Sequence, residues 1–97
     1  MPWIRRLCLL LIMASASARA DLNVFATLPE WGALANIIGG EAVTVYVATH
    51  ARQDPHHVDA RPSLIARARG ADLVVANGAE LEVGWLPVVL RSAGNAA

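Results

Sequence analysis

After residue 20 the rhythm of apolar and polar positions switches between a period of two and a period near 3.6, and each switch marks an element. Leu22, Val24 and Ala26 alternate, which predicts a strand over 22–26 with these three on one face. Thr27-Leu28-Pro29-Glu30 has the form of a capping box. In that motif the threonine hydroxyl accepts an orphan backbone N–H and the glutamate reaches back to the cap. Pro29 suits a first helical turn, where a missing N–H costs little. Leu28, Trp31, Leu34, Ala35 and Ile38 then recur as one helical stripe, ended by Gly39-Gly40. The β-branched run Val43 to Val47 predicts a second strand. A polar loop follows from Ala48 to Arg61. Pro62 to Arg69 reads as a short helix with Leu64, Ile65 and Ala68 available for burial and Gly70 as its stop. Asp72 to Ala76 is nearly continuously apolar, as expected of a parallel strand covered on both faces. Asn77-Gly78 turns the chain, and Val83 to Ser92 predicts a last helix whose start Pro87 blurs.

Strands alternating with helices predict an α/β fold, a parallel sheet with right-handed βαβ crossovers. Three strands leave two exposed edges, an arrangement natural proteins avoid. The organisation over residues 21–97 is therefore expected to be interrupted rather than finished.

The first twenty residues follow a different logic. Arg5 and Arg6 precede the apolar run Leu7 to Met13, and small residues end in Ala18-Arg19-Ala20. That order describes a secretory signal peptide over 1–20, cleaved before Asp21. The apolar run is far shorter than the roughly 20 residues that a membrane-spanning helix needs. The competing reading is a buried N-terminal helix, which explains neither the leading charge nor the A-x-A ending. Export changes the charge balance. Losing Arg5, Arg6 and Arg19 leaves five basic residues against eight acidic ones, a net charge of −3 with histidine neutral. Such a chain, without a single lysine, lacks the basic patch of a nucleic-acid binder. The single cysteine, Cys8, falls inside the leader, so residues 21–97 offer neither a disulfide nor a thiolate ligand. A lipid anchor at the mature N-terminus is not expected, and the protein is expected free in a Gram-negative periplasm.

Histidine and carboxylate remain as metal ligands. They gather in Asp54-Pro55-His56-His57, with His50 upstream and Asp59 downstream. This is the loop after the second strand, and ligands of parallel α/β sheets bind outside the carboxyl ends of strands. Pro55 restricts the backbone and biases Asp54 toward extended conformations. Asp54 or Asp59 can orient an imidazole from behind. Adjacent histidines in strand-like backbone point opposite ways, so His56 and His57 are not expected to share a metal. On spacing alone, a polar surface loop is the competing reading, because loops collect Asp, Pro and His for turn reasons.

The run Gln53 to Ser63, with Asp54-Pro55-His56 at its head, resembles the D-P-H signature of the metal-receptor family of bacterial ABC importers. Ala71-Asp72-Leu73-Val74-Val75-Ala76-Asn77-Gly78 is similar to that family's A-D-L-V-V-x-N-G strand and turn, and Glu80 to Leu86 to its L-E-x-W-L continuation. Ile37-Ile38-Gly39-Gly40 matches its I-x-G-G element. Together these cover nearly all of Asp21 to Leu90. The resemblance implies a fold of two α/β lobes joined by a long helix, with metal held between them, and this chain corresponds to part of the N-terminal lobe. It implies that His56 is a metal ligand and that His50 and His57 are neighbours. The family's later ligands, another histidine and two acidic or histidine positions, have no counterpart here. Glu80 and Glu82 are expected to be structural, and Trp31 and Trp85 to line the core or a groove.

The function so implied is capture of a divalent transition metal, zinc ahead of manganese, for delivery to an ABC permease in the inner membrane. No catalysis is expected. One alternative is a small exported metal-dependent hydrolase using His56 and His57, but the chain has neither an H-E-x-x-H helix nor a G-x-S-x-G elbow around Ser63. The other is an inactive truncated piece of the receptor.

Overall fold

A computed structural model describes residues 21–95. The expected leader, with Cys8, lies outside the described residues. Strand β1 spans Leu22–Ala26, helix α1 Pro29–Gly39, strand β2 Val43–Val47, helix α2 Pro62–Arg69, strand β3 Leu73–Val75 and helix α3 Leu86–Ala93. A 3-10 turn, Gly40–Ala42, links α1 to β2. The strands form one sheet in the order β2-β1-β3, parallel throughout. The fold is α/β, as the alternation of periods predicts.

β1 is central, so its second half is buried on both faces: Val24, Phe25 and Ala26 are all within 3% of full burial. Phe25 faces the main core, where Leu64 and Ala68 of α2 meet Trp85, Leu86, Val89 and Ala93 around α3. Tyr46 and Val74 close it from the flanking strands. Arg67 lies 5.2 Å over the Tyr46 ring and shields its outer side. The end of α3 is tied to α2 by Asn95, whose side-chain amide donates to the carbonyls of Ala68 at 2.7 Å and Ala71 at 2.8 Å.

Helix α1 covers the opposite face, over β1 and β2. Its closest approach is Gly32, where a Cβ would stand 2.4 Å from a Val47 methyl, so only glycine lets the helix sit this low. That placement has two consequences. The stripe Leu28-Trp31-Leu34-Ala35-Ile38 is only partly buried, with Ile38 77% exposed. β3 is not covered on both faces either, since α1 lies to one side of it and Leu73 is 50% exposed. Trp31, Leu34, Ile38, Leu73 and Val75 line the apolar groove between.

The expected capping box is also overturned. Leu28 is the N-cap of α1 and no side chain caps it. The Thr27 hydroxyl instead donates to Glu82 Oε2 at 2.5 Å. The last helix begins at Leu86 rather than Val83, with Pro87 in its first turn, and a series of turns occupies residues 79–85.

Candidate metal centre

At the carboxyl ends of the strands, three loops are tied into one floor. Thr27, just after β1, is wholly buried. Its carbonyl accepts the Thr49 hydroxyl at 2.6 Å, from the loop after β2. Its own hydroxyl reaches Glu82, beyond β3. The Glu82 carboxylate also accepts the backbone N–H groups of Asn77 at 2.6 Å and Gly78 at 3.0 Å. Glu82 is 4% exposed and has three donors, which is how a buried carboxylate is stabilised. It holds a turn in which Gly78, Ala79 and Glu80 all have positive φ. Glu82 is thereby structural, as expected, and Glu80 is exposed on the turn.

Above this floor lies the histidine loop. Its backbone is a turn and not strand-like, with the His57 N–H donating to the Asp54 carbonyl at 3.2 Å. The premise that His56 and His57 point opposite ways therefore fails. Both rings face the Asp54 carboxylate, with their centroids 6.4 Å apart. Oδ1 lies 2.8 Å from His56 Nδ1, and Oδ2 lies 4.0 Å from His57 Nε2. The Asp54 Oδ1 atom also accepts the His56 backbone N–H at 3.0 Å. That backbone bond, then the ring contact, holds the Asp54 carboxyl below the ordinary carboxylate range.

The chemistry follows from the nitrogen that is engaged. An ionised aspartate only accepts, so a neutral His56 carries its proton on Nδ1 and presents the Nε2 lone pair. This is the carboxylate–histidine arrangement that fixes the tautomer of metal-ligating imidazoles. Between the two aspartates, the structure gives the orienting position to Asp54. The His56 side chain is 60% exposed beside a shallow hollow lined by Gln53, His57, Asp59, Arg61 and Gly84. His50 is exposed upstream, its carbonyl closing a turn with the Gln53 N–H at 3.0 Å.

Among the described residues no three of His, Cys, Asp and Glu converge as a metal cage. Nor, among them, is any helix long and apolar enough to cross a membrane.

Residues 24–97 match the ZnuA family, described as zinc-uptake complex component A, periplasmic. The chain belongs to the ZnuA family. The match takes in every element from the third residue of β1 onward, including the Asp54-Pro55-His56 loop and the Glu82 turn. The parallel α/β sheet described above is the fold class expected from the family resemblance.

Sequence reasoning missed one contributor to this region. Trp85, read only as core or groove lining, is indeed 3% exposed, but its indole N–H donates to the Pro55 carbonyl at 2.7 Å. No local signal marks this bond, because its partners are thirty residues apart.

Proposed function

We propose that this chain is the periplasmic solute-binding component of a metal ABC importer. It captures a divalent transition metal as cargo and hands it to the permease in the inner membrane. One observation carries the reading: the His56 imidazole stands outside the carboxyl ends of a parallel sheet with Nδ1 held by Asp54, leaving Nε2 for a metal. Membership of a zinc-uptake family supports zinc ahead of manganese, and so does a nitrogen donor. Tetrahedral zinc takes four ligands. His56 supplies one, and the others come from outside the described residues. His50 and His57 act as neighbours. The chain makes and breaks no covalent bond in this role. Residues 1–20 serve as the export leader, cleaved before Asp21, and residues 21–97 form part of the N-terminal lobe.

Native mass spectrometry on protein recovered from the periplasm tests this, with His56→Ala alongside. The expected species begins at Asp21 and carries one zinc ion that the variant holds poorly. A metal-free protein unaffected by the substitution would leave family membership as ancestry without present binding.

A further inference from the structure

The His56 loop is gripped from across the fold. Trp85 sits in the main core, and its indole N–H is directed out of that core onto the Pro55 carbonyl, 2.7 Å away. That carbonyl belongs to the same peptide group as the His56 N–H, which donates to Asp54 Oδ1 at 3.0 Å. A peptide group is a rigid plane. Holding its oxygen from Trp85, at the cap of α3, and its hydrogen from Asp54 fixes how the plane is turned. The next peptide group lies beside Gly84. A Cβ added at Gly84 would stand only 3.3 Å from the His56 carbonyl oxygen, so the absence of a side chain there leaves that carbonyl its room. The peptide plane entering the His56 Cα is thus held by Trp85 and Asp54, and the bare Gly84 leaves the plane that follows unobstructed. Asp54 then sets the rotation of the ring. Burial alone explains less. A buried indole N–H needs a partner, yet Trp31 keeps its Nε1 buried with no partner among the described residues.

We propose that Gly84 and Trp85 are positioning residues for metal capture, forming a platform that aims the His56 imidazole. This rests on the reading of His56 as a ligand. Metal sites tolerate little angular error in their ligands. A loop whose histidine side chain is 60% exposed has few other restraints on its direction.

Zinc affinity by chelator competition on the exported full chain tests the platform. Two substitutions are each made in the wild-type and His56→Ala backgrounds. Trp85→Phe keeps an aromatic ring and removes the donor; Gly84→Ala adds one methyl group against the His56 carbonyl. Each is expected to weaken zinc binding about 10-fold when His56 is present, the lower end of what outer-shell partners contribute. Neither weakens it further when His56 is alanine. The two effects are coupled because they act through one side chain. Metal-free amide exchange gives a second readout, with the His56 N–H exchanging faster in both variants. Equal losses in the two backgrounds, or unchanged affinity and unchanged His56 exchange, would overturn the platform while leaving the ligand reading intact. Wild-type affinity in His56→Ala alone would overturn the ligand reading and the platform with it. If Trp85→Phe does not fold, Gly84→Ala decides by the same criteria, since Gly84 is exposed and outside the core.

Discussion

Asp54 is the residue on which the histidine loop turns. It accepts from the His56 backbone and ring through one oxygen while the other faces His57. Removing it in Asp54→Ala takes away both acceptors at once. Zinc affinity is expected to fall about 10- to 100-fold, the usual effect of losing an orienting carboxylate, in a chelator competition titration. The depressed titration of Asp54 gives a second expectation. Its folded value lies below its unfolded one. The grip on the loop is therefore complete above the unfolded value and is lost as pH falls through the folded one. Monitored by the Asp54 carboxyl carbon and the His56 amide proton in NMR, the transition is expected below the ordinary aspartate range. A midpoint at or above that range would mean that the two hydrogen bonds do not persist in solution.

Among the elements, the turn between β3 and α3 carries the most concentrated demand. Gly78, Ala79 and Glu80 occupy the left-handed region in succession, which disfavours the non-glycine residues Ala79 and Glu80. Glu82 offsets that cost by accepting the Thr27 hydroxyl and two backbone N–H groups. Glu82→Gln replaces one acceptor oxygen with a donor, so at least one backbone N–H loses its partner. Unfolding by urea is expected to show a loss of about 1–3 kcal/mol, the cost of an unsatisfied buried polar group. A loss within the ±0.5 kcal/mol or so of an ordinary surface change would show that the turn holds itself. The same carboxylate joins the loops after β1 and β3, so the variant should also loosen the floor beneath His56.

At the scale of the molecule, the two faces of the sheet are unequal. Helices α2 and α3 close one face into a core around Phe25, Leu64 and Val89. On the other, α1 leaves Ile37, Ile38 and Leu73 half or more exposed. A small core of this kind has modest stability, and a ligand that binds only the folded state adds to it by mass action. Zinc at about one hundred times its dissociation constant is expected to add roughly 2.7 kcal/mol, read as a rise in Tm that grows with zinc concentration. His56→Ala is expected to abolish that rise. A rise that persists in the variant would place the metal elsewhere.

The strands and helices were legible in the sequence because each is specified locally. Alternation at Leu22, Val24 and Ala26, β-branching from Val43 to Val47 and the stop at Gly70 all act within a few residues, and those elements lie where the pattern predicts. The Asp54-Pro55-His56 loop was legible for the same reason, as a short motif after a strand. What the sequence could not show are the pairings across distance. Thr27 has the local form of a helix cap, yet its hydroxyl is taken by Glu82, 55 residues away, because a buried carboxylate must be supplied with donors. The apolar run of β3 looks fully covered, but Gly32 seats α1 over β1 and β2 and leaves β3 at the edge. The grip of Trp85 on Pro55 is of this kind as well. Periodicity reports which face of an element is apolar. Only the packed chain decides what meets that face and which distant donor reaches the loop that aims His56.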